Sequence, residues 1–211
     1  MMIKNRVLIK IPKGIKWVIG VDEAGRGPLA GPVALAALAI RVGDLWELEK
    51  DPLKDSKQLS EAARERKFNF LKKLKGKKIV RYFSALVGEK FIDRDGIVSA
   101  VKRGIRRTLS RLALKAEASL VLLDGGIRAP RGYGHQRTII KGDARVPVIA
   151  HASVIAKIRR DRKMKKLSLV FPRYDFHIHK GYGTAMHIKK IKKHGLSPIH
   201  RRSFVKNIST I

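Results

Sequence analysis

Apolar residues recur along the chain in two rhythms. Short continuous runs bounded by glycine, proline or charge predict strands: Trp17-Val-Ile-Gly-Val21, Val33 to Ile40, Ile79 to Leu86, Leu120-Val-Leu-Leu123 and Thr138-Ile-Ile140. Elsewhere the spacing is helical. Ile97, Val101, Ile105, Leu109 and Leu112 predict a helix over 97–115. Ser60 is placed to cap a basic helix from Glu61 to about Lys75, which Gly76 ends. Two more helices are expected at roughly 150–167 and 184–194, the second stopped by Gly195 and Pro198. The Gly-Arg-Gly-Pro turn (Gly25 to Pro28) joins the first two runs, so an antiparallel hairpin is predicted, after which strands alternate with helices. The fold class expected is α/β: a mixed central sheet flanked by helices, one domain over 1–211, with about 168–211 as a C-terminal helical extension.

Composition narrows the partners. Among 211 residues, 48 Lys/Arg stand against 17 Asp/Glu, a formal charge of +31. An apolar fraction of 44% is that of a folded chain, so the charge does not signal disorder. Such a surface repels itself and suits a polyanionic partner. The absence of cysteine excludes disulfides, thiol nucleophiles and thiolate metal sites. The longest apolar run, Val33 to Ile40, is too short to span a bilayer, and Met1 to Lys16 has no signal-peptide core. A cytoplasmic monomer without membrane contact is therefore expected. From Lys157 to Lys206 there are 16 Lys/Arg and two acids, Asp161 and Asp175, interleaved with Phe171, Tyr174, Phe176 and Tyr182. That stretch reads as a nucleic-acid surface.

In so basic a chain, acids at the ends of apolar strands call for a cause. Asp22 and Glu23 follow Ile19-Gly-Val21, Asp124 follows Val121-Leu-Leu123, and Asp143 follows Ile139-Ile-Lys-Gly142. Any one of them reads equally well as a turn cap or the partner of an arginine. Together, at one sheet edge, they need either Lys/Arg or a hard divalent cation among them. Oxygen ligands suit Mg²⁺ or Mn²⁺, and two such ions serve phosphodiester hydrolysis. Spacing alone does not decide between these. Gly25, Gly27 and Gly31 have the wrong spacing for a dinucleotide fingerprint. His177, His179, His187, His194 and His200 meet no fixed zinc-ligand spacing and are expected at the surface or facing nucleic acid.

The wording of the motifs goes further. Val21-Asp-Glu-Ala-Gly-Arg-Gly-Pro28, Asp55-Ser-Lys57 with Leu59-Ser60, and Leu123-Asp-Gly125 come in order. Lys141-Gly-Asp-Ala-Arg-Val-Pro147, Ala152-Ser-Val-Ile-Ala-Lys157 with Arg160-Asp161, His179-Lys-Gly-Tyr182 and His200-Arg-Arg-Ser-Phe204 follow. These blocks, spread from about 17 to 205, resemble the ribonuclease HII family in its bacterial form. The resemblance implies a ribonuclease H-like fold and an endoribonuclease. Its substrates would be RNA–DNA hybrids and duplex DNA with embedded ribonucleotides, cut on the 5′ side of the ribonucleotide. It implies a carboxylate tetrad of Asp22, Glu23, Asp124 and Asp143. The first three would hold Mn²⁺ or Mg²⁺, with Asp143 at the second ion and the attacking water. It also implies that Gly25, Arg26, Gly27 and Tyr182 sense the ribose, with Tyr182 stacking on the adjacent deoxyribose and Lys57 touching phosphate. Both Gly25 and Gly27 are expected at positive φ.

The chain departs from the family at Gly96 and Gly126, where asparagine is usual; neither belongs to the tetrad. Two alternatives stand beside the enzyme. One is a non-catalytic basic nucleic-acid-binding protein whose acids are structural. The other is the sister family ribonuclease HIII, whose N-terminal substrate-binding domain has no room before a motif that begins by residue 22.

Overall fold

The computed structural model describes residues 9–51, 59–126 and 128–206. Five strands form one mixed sheet: β1 (Trp17–Ala24), β2 (Val33–Arg41), β3 (Val80–Val87), β4 (Ser119–Asp124) and β5 (Gln136–Ile139), in spatial order β3-β2-β1-β4-β5. The hairpin is antiparallel as expected, with Trp17 opposite Arg41 and Ala24 opposite Ala34. β4 and β5 then run parallel to β1. The parallel register places Val21 beside Leu123 and Asp124 beside Ile139, so the ends of three strands reach one edge at one level.

Helices cover both faces, which is why β2 reads as an unbroken apolar run, buried from Val33 to Ile40. On one side α4 (Pro147–Val170) and α1 (Glu61–Gly76) pack on Val18, Leu38, Leu120 and Leu122. On the other α2 (Glu89–Leu112) packs on Ile19, Val21, Leu35 and Val121. The small residues of the sheet set the distance. A Cβ on Gly20 would lie 2.2 Å from the carbonyl oxygen of Val148, so the first turn of α4 rests directly on the backbone of β1.

Several expectations are corrected. β1 continues through Asp22 and Glu23 to Ala24, because pairing with β2 persists to Ala34. The acidic pair therefore lies inside the strand. β5 is an edge strand of which only Ile139 is buried, and Ile140 is 77% exposed, so Thr138 to Ile140 is no core strand. Asp143 sits on a one-turn helix α3 (Gly142–Arg145), entered through Lys141 at φ 55°. α2 starts at Glu89, is broken at Gly96 (φ 81°, ψ 159°), and ends at Leu112 against the left-handed Ala113. α4 is longer at both ends than expected, since Pro147 suits a first helical turn. Short turns that carry no period also went unread: 3-10 segments at Val42–Lys50, Pro172–Tyr174 and Arg202–Phe204, and α5 (Phe176–His179). α6 (Ala185–His194) matches its expectation and is capped by Thr184.

The residues after α4 fold back onto the hairpin loop. Ala30, Met164, Tyr174, Phe176 and Ile199 form a third apolar cluster, and Ala30 pairs with His200 in an isolated bridge. His179, His187 and His200 are buried in this region, contrary to the surface position expected for them, because each finds hydrogen-bond partners there. Among the described residues no helix is long and apolar enough to cross a membrane. Gly20→Ala is expected to force α4 off the sheet and destabilise the fold by about 1–3 kcal/mol, the usual cost of overpacking. Urea unfolding at constant m-value checks it.

Candidate active site

Strand geometry sorts the four acids. Val18, Gly20 and Asp22 alternate onto the α4 face of β1, and Leu120, Leu122 and Asp124 onto the same face of β4. Two adjacent parallel strands thus present carboxylates side by side. α3 brings the third, and oxygens of Asp22, Asp124 and Asp143 lie within 4.8 Å of one another. Asp22 and Asp143 are buried and Asp124 is half-buried. Backbone amides orient two of them: Glu23 N–H donates to Asp22 Oδ1 at 2.7 Å, and Gly142 N–H to Asp124 Oδ1 at 2.8 Å. Glu23 stands on the opposite face of β1, with Ile19 and Val21, and so falls outside that trio. It lines the same cleft and pairs with Arg26 at 3.3 Å.

The cleft, of about 360 Å³, is bounded by Asp22, Glu23, Gly25, Asp143, Lys157 and Tyr182 among others. Gly25 is buried at φ 90°, and a Cβ there would lie 1.9 Å from Arg160 Nε. Both reasons demand glycine. Gly27 departs from expectation: it is exposed, lies outside the left-handed region and has open space where a Cβ would be. The fold does not require glycine there. Tyr182 is 42% exposed, its ring near Lys157 Nζ (6.0 Å) and Arg160 (5.5 Å). Lys57 lies outside the described residues.

These strands, loops and acids can be set beside known proteins. A family model for ribonuclease HII matches residues 19–207. The chain belongs to the ribonuclease HII family. The ribonuclease HII of Ruminiclostridium cellulolyticum is 45% identical over 197 residues, which cover 93% of this chain and 73% of that one. That of Endomicrobium trichonymphae is 43% identical, covering 91% and 87%. Among solved structures, ribonuclease HII in its complex with PCNA from Archaeoglobus fulgidus superimposes with a TM-score of 0.69 at 25% identity, covering 87% of this chain and 93% of that chain. The fold is accordingly ribonuclease H-like, and the chain is a metal-dependent endonuclease, a hydrolase.

The residues present fit a divalent cation of the kind that ribonuclease HII enzymes use. Burial, then the charges of Glu23 and Asp124, hold the Asp22 carboxyl well above the usual carboxylate range. The strongest charges acting on it are negative, so an oxygen-seeking cation is the missing complement.

The motif reading left several cleft residues without a role. Arg64 from α1 and Lys157 from α4 meet across Asp161: Lys157 Nζ bonds Asp161 Oδ1 at 2.8 Å and Arg64 lies 3.9 Å from Oδ2. The Lys157–Asp161 spacing of four residues was a visible helical pair; the approach of Arg64 from another helix left no mark in the sequence. Asp22→Asn removes one charge from the trio. The variant is expected to melt about 2–4 °C above wild type in chelator, as about 1 kcal/mol of relieved repulsion would give. It should lose the further rise that Mn²⁺ confers on wild type, as scanning fluorimetry would show.

Proposed function

We propose that this chain cuts the phosphodiester on the 5′ side of a ribonucleotide, in RNA–DNA hybrids and at single ribonucleotides embedded in duplex DNA, and that it acts as a monomer. The observation that carries this is a cleft that brings Asp22, Glu23 and Asp143 together with Gly25 and Tyr182, with Asp124 joining Asp22 and Asp143 in one close carboxylate trio. Asp22, Glu23 and Asp124 would hold Mn²⁺ or Mg²⁺, with Asp143, close to Asp22 and Asp124, serving a second ion. Cations so held would supply Lewis acidity for activating water and stabilising the leaving oxygen. The protein's part is placement. Amides of Glu23 and Gly142 fix the carboxylates of Asp22 and Asp124.

Selection of ribose falls to the wall of the cleft. Gly27 has nothing within 4 Å of a built Cβ, so its backbone is open to a sugar. A 2′-hydroxyl both donates and accepts, as peptide groups do. Tyr182 offers its exposed ring to the neighbouring deoxyribose. Lys157 beside that ring, Arg26 and, from the sequence alone, Lys57 serve phosphates. A purely nucleic-acid-binding protein has no use for three crowded carboxylates, two of them buried, whose mutual repulsion opposes folding.

A labelled duplex with one ribonucleotide, beside an all-DNA duplex, tests the proposal in Mn²⁺, Mg²⁺ and chelator. One metal-dependent cut 5′ to the ribonucleotide is expected, abolished by Asp22→Asn or Asp124→Asn with binding retained. Binding without cutting in either metal would move the function to the non-catalytic alternative. If the basic stretch from Lys157 to Lys206 follows the backbone, log Kd plotted against log salt changes by about 0.9 for each phosphate neutralised; a flat plot would remove that face from the binding surface.

A further inference from the structure

The block His200-Arg-Arg-Ser-Phe204 contributes nothing to the carboxylate trio, yet His200 and Arg201 are both buried. Arg201 binds the hairpin loop through backbone carbonyls. Its Nη2 donates to Gly25 O at 2.7 Å, Nη1 to Arg26 O at 2.8 Å and Nε to Gly31 O at 2.9 Å, while its own amide donates to Leu29 O at 2.8 Å. Arg160 continues the series, with Nε to Pro32 O at 3.0 Å and Nη2 to Ala30 O at 3.2 Å. Five carbonyls of the loop therefore converge on two guanidinium groups. Only arginine offers donors in a rigid planar fork that can serve several acceptors at once.

His200 reaches the other wall through a chain whose tautomers follow from its ends. The Ser197 amide donates to His200 Nδ1 at 2.8 Å, so that nitrogen is an acceptor and the proton of neutral His200 is on Nε2. At the far end His187 Nδ1 faces Tyr182 O at 2.9 Å; a carbonyl only accepts, so Nδ1 carries the proton. The 3.0 Å contact between the two Nε2 atoms is then His200 donating to His187. Burial holds both imidazoles down to about 4, which keeps them neutral near pH 7. His179 stacks on His187 at 4.2 Å, accepts from Gly181 N–H at Nδ1 (3.1 Å) and donates from Nε2 to Tyr174 O (2.7 Å). Tyr182 N–H donates to His179 O at 3.0 Å, and Leu29 N–H to Gly181 O at 2.8 Å. Two consecutive residues thus hold the Gly25-Arg26 carbonyls on one side and the backbone of Tyr182 on the other.

We propose that His200 and Arg201 form one strut that sets the spacing between the Gly25–Gly27 turn and Tyr182, and so are positioning residues for ribonucleotide selection. This rests on the reading above that those two elements contact the sugars. The strut touches neither the scissile group nor the carboxylates, so its loss falls on substrate choice before it falls on hydrolysis.

The test compares kcat/KM on a duplex with one embedded ribonucleotide to kcat/KM on a uniform RNA–DNA hybrid. His200→Phe keeps the aromatic packing on Tyr174 and Phe176 but cannot donate to His187. It is expected to lower the single-to-hybrid ratio about tenfold, since His187 Nε2 loses its donor and the Ser197 amide its acceptor. His200→Gln, whose amide can still donate to His187, should recover most of that loss. Arg201→Lys, lacking the fork, should lower the ratio as His200→Phe does. The Mn²⁺-dependent rise in melting temperature should survive in all three.

Equal losses on both substrates, or no recovery with His200→Gln, would overturn the strut and leave the pair merely structural. Tyr182→Ala separates the two readings. If it lowers the ratio and His200→Phe does not, the strut falls while the sensor stands. If it leaves the ratio unchanged while His200→Phe lowers it, the sensing role of the Tyr182 ring falls, and the strut is retained through its hold on the backbone at position 182, which alanine keeps. Should the variants fail to fold, imidazole ¹⁵N shifts of the wild type at pH 7 decide. Protons on His187 Nδ1 and His200 Nε2 support the relay, and the opposite tautomers overturn it.

Discussion

Three carboxylates held within 4.8 Å of one another, two of them buried, repel each other and resist desolvation. No local feature of the chain could keep them there, so the rest of the fold must. The parallel pairing of β1 and β4 fixes Asp22 beside Asp124, the face of the sheet covered by α4 fixes which way both point, and α3 closes on them from beyond β5. The large apolar layers on both sides of the sheet supply the stability that this arrangement consumes. A divalent cation answers the repulsion at its source, which ties the fold's least favourable feature to its chemistry.

The parts of this arrangement that were legible in the sequence are those with a local period or a fixed motif. The β2 run, the Ser60-capped helix, the spacing from Ile97 to Leu112 and the helix after Thr184 could be read because burial imposes a rhythm on consecutive residues. The four acids could be named because they follow apolar strands. Their division into a trio and Glu23 could not, since it depends on the continuation of β1 past Asp22, which pairing with β2 decides. Asp143 on a helical turn, and the edge position of β5, are likewise consequences of long-range pairing.

The C-terminal part illustrates the same limit in charge. As a tally, the residues from Lys157 to Lys206 are a basic surface. In space they divide. Lys157 faces the cleft, Lys190 pairs with Asp175 at 2.8 Å, and Arg160 and Arg201 are buried beneath the loop that precedes β2. Of the histidines expected at the surface or facing nucleic acid, His179, His187 and His200 are packed among aromatic rings, while His177 is exposed. Net charge says what a surface attracts, and it does not say which cations reach the surface.

Why the buried cations are arginines follows from the loop they hold. Between Ala24 and Val33 the backbone turns too sharply to satisfy its own carbonyls, and five of them point inward. Buried carbonyls without donors would be costly. A guanidinium meets several acceptors in one plane, remains charged despite burial, and so converts a set of unsatisfied groups into a rigid wall. Arg201 is pushed down only to about 10, still protonated at neutral pH. A loop fixed in this way can present Gly25 to Gly27 to a sugar without rearranging, and the backbone of Tyr182 is held opposite by the neighbouring histidine. The ribose selection proposed for this cleft would demand that order of fixity, because a wall free to shift by the length of one hydrogen bond would accommodate either sugar.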